Sequence, residues 1–384
     1  MEEAWRAYTD PAAPAFNAQR ALPRGFRQQL AAEAGGTPYD LGDPRELPEE
    51  CRTTRWRELC AALDGWPDLS RDRQCRLASL LHSMCLYRPL LALIPKDILR
   101  ARREMPHAVE LAWWRASADF MEKLPGPIAD YRDADLSVLE EIALRGTETA
   151  VPAVFNATAL VFVHKAKTGA PVPELAEWSR RLETARELAT GALDAFRAGL
   201  LTSRFYRALG FLPQRVGDRG ELARVMDAAE RHARALTPAT SAQRLLYREN
   251  LHAVMESRTK EALWLDDHDL ALARALAVVE VDPLDAKAWV EAGEVRFRRK
   301  DWHEAALAYA AAGMLGPPAS AVGRHMTGVC LRELGQDLLA ATLFKDALEL
   351  DPLGISPREE IRGLPDVPVL TALKEWSRST YHTL

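Results

Sequence analysis

The sequence predicts an all-α protein in which a helical N-terminal region precedes a stack of helical hairpins. Two observations predict this fold class. Apolar residues recur at helical spacing along nearly the whole chain, whereas the alternation that is typical of strands does not occur. The C-terminal third also repeats itself with a period of about 35 residues, which is in the range of helical-hairpin repeats.

Helical periodicity, bounded by residues that favour helix ends, predicts the individual helices. Pro106 lacks an amide donor and is expected to divide the stretch 95–124 into two helices. Residues typical of helix ends are Ser70 and Asp135 as N-caps, Pro173 in a first turn, and Gly65, Gly146 and Gly169 as exits. The predicted helices span 55–63, 71–87, 108–123, 136–144, 174–198, 222–236 and 242–265.

Composition and periodicity predict three regions of the chain. Residues 1–50 form an N-terminal arm, and its segment 35–50, rich in Gly, Pro and acidic residues, is expected to be an exposed loop. Residues 51–216 are expected to form a helical N-terminal domain, and residues 217–384 the stack of hairpins. In 367–380, Leu370, Leu373 and Trp376 fall on one face, as expected of a helix that caps the stack.

One register aligns the two best copies of the repeat. Gly or Ala at a helix crossing lets two backbones approach closely, an aromatic residue fills the remaining space, and proline ends the second helix. A single hairpin cannot bury its apolar face alone, so such hairpins stack. The matching pairs are Gly293 with Gly328, Ala305 with Ala340, Tyr309 with Phe344, Ala312 with Ala347, and Pro317 with Pro352.

This pattern resembles the tetratricopeptide repeat, whose period is about 34 residues, over roughly residues 252–352. A degenerate third copy precedes the two good ones, with Ala271, Ala275, Val278 and Pro283 in the second-helix positions and Thr259 in place of the glycine. Lys300 likewise replaces a turn glycine. The resemblance implies a right-handed α-solenoid.

The resemblance also implies a partner-binding groove lined by the first helix of each hairpin. The predicted partner-binding residues are Lys287, Val290, Glu294, Phe297, Arg298, His325, Val329 and Arg332, with Val322 and Glu333 on the same face. The carboxylate-clamp subtype of the family carries Lys and Asn where Val290/Glu294 and His325/Val329 stand here, so its grip on a peptide C-terminus is not implied. Alternatively, the terminal helix or upstream helices of this chain fill the groove.

Motifs for catalysis or cofactor binding are not found in the sequence. Neither GxxxxGK[ST], GxGxxG nor GxSxG occurs, and we predict no metal and no cofactor. The run 266–269 (Asp-Asp-His-Asp) has metal-ligand residue types, but acids before a helix are more often caps. Trp113 and Trp114 are adjacent on a predicted helix, so at most one is expected to enter the core fully. The other reading of this pair is a ligand-pocket wall with His82 or His107 nearby.

Composition limits the classes of partner and the cellular compartment that we expect for this protein. The net charge of −5 and pI of about 6.1 argue against a nucleic-acid-binding protein. Five cysteines without a CxxC pair, an acidic N-terminus and no apolar run of spanning length predict reduced thiols, a cytoplasmic location and no membrane segment. Only nine of 50 basic residues are lysine, which favours a bacterial origin.

These observations predict a non-catalytic scaffold that binds a protein or peptide partner in a bacterial cytoplasm. The alternative is a helical enzyme or accessory protein of specialised (peptide natural product) metabolism, in which the N-terminal half carries the site and the repeats recruit the substrate. A third reading is a homo-oligomerisation scaffold.

Overall fold

The computed structural model describes residues 43–84, 86–101, 106–123, 134–145, 150–316, 319–351 and 355–379, and these are all-helical, without any strand. Short 3-10 helices lie at Pro44–Glu46, Glu49–Cys51 and Trp66–Asp68. None of the described helices combines the length and apolarity needed to cross a bilayer. The α-helices are α1 (Thr54–Asp64), α2 (Arg71–Ser83), α3 (Tyr87–Leu93), α4 (Ile98–Ala101), α5 (Pro106–Lys123), α6 (Ser137–Leu144), α7 (Val151–Thr168), α8 (Val172–Ala192), α9 (Ala195–Leu209), α10 (Phe211–Val216), α11 (Arg219–Arg234), α12 (Ser241–Trp264), α13 (His268–Val281), α14 (Ala286–Arg298), α15 (Trp302–Met314), α16 (Ala319–Glu333), α17 (Asp337–Leu350), α18 (Ile355–Arg362) and α19 (Pro368–Ser379).

Most predicted helix ends agree with the structure. Ser70 Oγ accepts a hydrogen bond from the Arg73 amide as the N-cap of α2, and Gly169 ends α7 in the left-handed conformation. A helix begins at Pro106, as predicted. Asp135 accepts a hydrogen bond from the Ser137 amide, one residue before the observed N-cap of α6. Gly146, the first half of the loop 35–50 (residues 35–42) and the segment 124–133 lie outside the described residues.

Two predicted helices are each divided in the structure. The segment 71–87 ends as α2 at Ser83 and resumes as α3 at Tyr87. The segment 174–198 breaks at Leu193, which is extended, and Asp194 then caps α9 by accepting from the Arg197 amide. Both predictions were wrong because apolar periodicity continues across a helix end and does not show where the helix stops. Only at Asp194 does a side-chain cap mark the start of the second helix.

Backbone contacts divide the chain into two units, residues 1–254 and 255–384, so that the division falls inside α12. The sequence-based boundary near residue 217 lies at the start of α11, and it stays a prediction.

The core of the first unit surrounds α5 and α7. Helix α5 contacts α2, α3, α4, α6 and α7, so it has packing partners on several sides. Trp113 and Trp114 are therefore both fully buried. The prediction that only one of them would enter the core was wrong, because it assumed a helix with a solvent-exposed side.

The second unit contains the predicted hairpins, α14 with α15 and α16 with α17, and each helix contacts the next in sequence order. A Cβ atom on Gly293 would lie 2.8 Å from the Tyr309 ring, and one on Gly328 would lie 2.6 Å from the Phe344 ring. Each first-helix glycine therefore lies directly beneath the aromatic residue of its own hairpin. Ala305, Ala312, Ala340 and Ala347 are fully buried, as the register requires.

The contact between the two hairpins is closer still. A Cβ on Gly323 of α16 would lie 2.5 Å from the Gly313 backbone nitrogen and 2.7 Å from the Tyr309 carbonyl oxygen on α15. The two backbones can approach this closely only because both residues at the crossing are glycines, which lack a side chain. The repeat pattern did not predict this crossing, because neither glycine is a position shared by the two copies.

Helices α18 and α19 follow the second hairpin. Ile361, Leu364 and Leu370 share a buried cluster with Phe344 and Leu348, and Leu373 and Trp376 pack partly buried against it. Lys374 Nζ donates to the Leu364 carbonyl (2.6 Å) and pairs with Asp366 (2.7 Å). The face predicted to cap the stack therefore contacts the second hairpin.

Candidate partner-binding surface

The predicted partner-binding residues lie on α14 and α16, which contact each other directly. We call their common side the first-helix face. Val329 is buried, Arg298 is exposed and the other predicted residues are partly exposed. The structure therefore brings most of the predicted set to one accessible region of the second unit. The residues are Lys287, Val290, Glu294, Phe297 and Arg298 on α14, and His325, Val329 and Arg332 on α16.

Lys287 belongs to a cluster of four charged residues that we call the charge cluster: Glu256 and Lys260 on α12, Lys287 and Glu291 on α14. Lys260 Nζ lies 2.5 Å from Glu256 Oε1, and Lys287 Nζ donates to the same oxygen. Glu291 Oε1 is 3.6 Å and 3.7 Å from the two ammonium groups, within ion-pair range but beyond hydrogen-bonding distance. Its Oε2 atom is buried and accepts no hydrogen bond.

The carboxylates of the charge cluster lie deeper than the ammonium groups. The side chains of Glu256 and Glu291 are 6% and 18% exposed, against 57% for Lys260 and 42% for Lys287. Burial raises the pKa of Glu291, and the neighbouring Glu256 carboxylate raises it further. Glu291 is therefore a carboxylate whose charge the two lysines only partly compensate.

The middle of the first-helix face is apolar. Val290 and Phe297 pack against a buried cluster of Ala305, Ala306, Tyr309 and Cys330, to which Met326 of α16 also contributes. The Phe297 ring meets the Trp302 ring edge-on at 4.9 Å between centroids. Val322, one turn before Met326, is 48% exposed. This strip offers aliphatic and aromatic surface that is only partly covered by the chain itself.

Arg298 and Glu294 form an ion pair beside this strip, with 2.7 Å between Arg298 Nε and Glu294 Oε1. The Tyr309 hydroxyl donates to the other Glu294 oxygen at 3.3 Å. Burial, and then the Glu294 charge, hold the pKa of Tyr309 well above its usual range, so this hydroxyl is a hydrogen-bond donor at neutral pH.

The far end of the first-helix face is covered by the C-terminal helices. Val329 lies in the same buried cluster as Ile361 and Leu364, and Arg332 pairs with Glu360 of α18. The alternative that part of the predicted groove is filled by this chain's own helices therefore holds for this end. Between the two ends lies His325, whose ring centroid is 5.8 Å from that of Phe344. Burial, and then Arg332, lower the pKa of His325.

Sequence reasoning missed four residues that shape this face: Glu256, Lys260, Glu291 and Glu360. Two of the missed contacts had a visible signal, because Glu256/Lys260 and Lys287/Glu291 are i, i+4 pairs of opposite charge. The contacts across helices, such as Arg332 with Glu360, depend on how successive hairpins pack and have no such local signal.

The acidic run 266–269 caps a helix. Asp267 is the N-cap of α13 and accepts from the Leu270 amide at 3.0 Å, while Asp269 pairs with Arg299. Within the described residues no group of three His, Cys, Asp or Glu side chains is arranged to hold a metal ion.

The tryptophan pair of the first unit lies among polar side chains but is not accessible. His82 is buried, lies 2.9 Å from Ser117 Oγ through Nε2, and has its ring centroid 5.2 Å from that of Trp114. Burial raises the pKa of Glu110 on the same helix. His107 is exposed, and its charge partly offsets the rise that burial causes in the pKa of Glu110. The polar groups around Trp114 therefore belong to the interior of the helical domain.

A shallow cleft of about 550 Å³ lies elsewhere in the first unit, where α6 begins and α7 ends. Lys165 is its central cation and is held 2.9 Å from both Glu140 and Glu174. The lining residues are Ala134, Asp135, Leu136, Ser137, Glu140, His164, Lys165, Thr168, Gly169, Ala170 and Glu174.

Comparison with protein-family models and with curated proteins finds no match for this chain. The interpretation of the hairpins as repeats therefore depends on their own packing.

Proposed function

We propose that this chain is a non-catalytic, tetratricopeptide-like scaffold that binds a protein or peptide partner through the first-helix face. One observation carries the proposal. Two hairpins of different sequence place a glycine beneath an aromatic residue in the same way, and the first helix of the first hairpin leaves Val290 and Phe297 partly exposed and Arg298 exposed. A cytoplasmic location in a bacterium belongs to the same proposal.

The residue types on this face suit protein recognition. Binding energy at protein interfaces is concentrated in a few aromatic and arginine residues surrounded by near-neutral contacts. Phe297 and Arg298 are of these types, and Phe297 belongs to the apolar strip while Arg298 follows it on α14. Partial exposure of the strip leaves apolar area that a partner would remove from water, which contributes about 25 cal/mol per Å² before the costs of association.

The test is capture of partners from the native host by the full chain and by variants. We expect Phe297→Ala with Arg298→Ala to lose the captured partner, while Leu307→Ala, at an exposed leucine of α15, retains it. Circular dichroism must show that all variants remain folded. Retention of the partner by the double variant, with loss only on changes in the first unit, would replace this proposal by the site in the N-terminal half.

A further inference from the structure

We infer that the outer side of α15 is a self-association surface, on which a second copy of this chain packs with its own α15 antiparallel to the first. We call this surface the α15 outer face: Leu307, Ala310, Ala311 and Met314. Leu307 and Met314 are 59% and 80% exposed, and the two alanines between them are partly exposed. Residues three, four and seven positions apart lie on one side of a helix, so the four side chains form one apolar surface.

The repeat register shows that stacking of the hairpins does not require an apolar surface here. In the second hairpin, the four equivalent positions of α17 are all polar: Thr342, Lys345, Asp346 and Glu349. Lys345 and Glu349 form an ion pair on the surface of α17. In the degenerate third copy, the exposed Glu280 of α13 stands at the position of Met314. Both other copies therefore have an exposed glutamate where α15 has Met314, and the methionine needs an explanation other than packing within the chain.

The α15 outer face also lacks charge. From Ala305 to its end at Met314, α15 has no charged residue. Burial of this face on association therefore gains about 25 cal/mol per Å² of apolar surface without removing a charge from water. A face without charges cannot select a partner through opposite charge, so the matching surface is apolar and uncharged as well. A second copy of α15 brings a surface of this kind.

The order of side-chain sizes on the α15 outer face fits a two-fold contact. Its large side chains lie at the two ends and its alanines lie in the middle, so the order of sizes is nearly the same in both directions. About a two-fold axis between residues 310 and 311, Leu307 of each copy lies beside Met314 of the other. The alanines then lie where the two helices cross, and small residues there allow close packing. Two-fold dimers are also the commonest form of homo-oligomer.

One helix of each copy makes this contact, so the interface is smaller than in obligate dimers. We therefore expect a reversible monomer–dimer equilibrium with a dissociation constant on the order of 10 µM. Sedimentation velocity of the full chain measures it at about 1 to 100 µM, a range that brackets this constant. The monomer has a mass of 42.8 kDa, and the dimer twice that mass.

The test variant gives α15 the residues that α17 has at the two ends of the face: Leu307→Thr with Met314→Glu. We expect it to raise the dissociation constant at least about tenfold, because each copy loses its two large apolar contacts. Met314→Glu alone, which introduces the residue of the other two copies, is the milder variant with the same expected direction. The control is Leu339→Glu, at a leucine of α17 that is 57% exposed but lies outside the face, and it is expected to leave the constant unchanged. Circular dichroism checks that each variant is folded.

A cross-linking measurement locates the two-fold axis. Ala310→Cys is made in a Cys51→Ser background, because Cys51 has the exposed thiol among the described cysteines. A short thiol-to-thiol cross-linker is expected to join two copies at this position. It is not expected to join them in Lys345→Cys, which places the thiol at the same position of α17.

A chain that stays monomeric throughout the concentration range overturns the inference. It is also overturned if the double variant dimerises as tightly as the wild-type chain, or if Leu339→Glu disrupts the dimer. Joining at Lys345→Cys without joining at Ala310→Cys would place the contact on another helix and overturn it too. The proposed function stands in each of these cases, because it depends on α14 and α16.

Discussion

The two hairpins of the second unit share the same interior packing but differ in how much of the first helix is exposed at the surface. Inside, Gly293 lies beneath Tyr309 as Gly328 lies beneath Phe344. Outside, the first helix of the first hairpin presents a partly open strip, whereas that of the second is covered at its end through Arg332 and Glu360. The interior pattern is therefore a condition of stacking, and the exterior is where two copies of one motif are free to differ in function.

The degenerate third copy sharpens this comparison. At the positions of the glycine and the aromatic residue it has Thr259 and Ala275, and both are buried. A larger residue on the first helix and a smaller one on the second exchange volume between the two positions. The exchange is partial, because threonine with alanine fills less volume than glycine with phenylalanine or tyrosine.

The largest expected effect comes from giving the second hairpin the kind of residues that the third copy has at these two positions. Phe344→Ala alone should destabilise the second unit by about 3–5 kcal/mol through the cavity it leaves. Gly328→Thr alone should destabilise it as well, because its Cβ would lie 2.6 Å from the Phe344 ring. The double change should cost less than the sum of the two, since each relieves the other.

The measurement is urea unfolding followed by labelling of the Cys330 thiol, resolved by mass spectrometry. Cys330 is fully buried in α16, and burial, followed by Glu333, raises its pKa to about 12, so it reacts only when this unit opens. Strictly additive losses would show that the two positions do not face each other as the register requires.

A smaller effect is expected at the crossing between the two hairpins. Gly323→Ala should destabilise the second unit by about 3 kcal/mol, because its Cβ would meet the Gly313 backbone and no rotamer change can relieve that contact. Gly363→Ala is the matched control, since its Cβ would make only ordinary contacts, 3.5 Å or longer. Cys330 labelling reports both variants, and equal stability for the two would contradict the close crossing.

The packing inside each hairpin could be predicted from the sequence. The pairing of Gly293 with Tyr309 depends on positions that recur at a fixed period, so it is visible without coordinates. The crossing at Gly313 and Gly323 occurs once, between copies, and the burial of both Trp113 and Trp114 depends on how many helices surround α5. These features depend on tertiary packing and leave no periodic pattern in the sequence.

The candidate partner-binding surface likewise has one part that the sequence predicts and another part that it does not. The resemblance to tetratricopeptide repeats predicted Val290, Phe297 and Arg298 as binding residues, and the structure leaves all three at least partly accessible. Their role in binding stays a prediction. It did not predict that Glu256 and Glu291 lie beneath the lysines, because depth within a charge cluster depends on the packing of α12 against α14.

The turn inside each hairpin offers a third test. Lys300 in the first hairpin and Gly335 in the second both have a left-handed backbone, with φ of 63° and 73°. Asp266 occupies the equivalent turn of the third copy, with φ of 64°. Lys300→Gly should therefore change stability little or raise it by up to about 1 kcal/mol, and Gly335→Lys should lower it by about 1 kcal/mol, because only glycine adopts this conformation without strain. A marked loss of stability on Lys300→Gly, or no loss on Gly335→Lys, measured by urea unfolding, would contradict a shared turn.

The smallest expected effect concerns the charge cluster, and its sign follows from the raised pKa of Glu291. Burial and Glu256 raise this pKa, while Lys260 and Lys287 oppose the rise and Asp285 adds to it. The folded chain therefore binds a proton at Glu291 more readily than the unfolded chain, whose glutamate pKa is about 4.3. This contribution to stability is fully present below about pH 4.3 and is lost as the pH rises through the raised folded pKa.

Glu291→Gln, which is neutral throughout, should match the wild-type chain in acid and become the more stable of the two towards neutral pH. Hydrogen exchange of α14 amides at several pH values measures the difference, with Glu280→Gln as the exposed control. A wild-type chain that gains stability over Glu291→Gln as the pH rises would show that the two lysines fully compensate the carboxylate. The cluster would then be a closed ion-pair network.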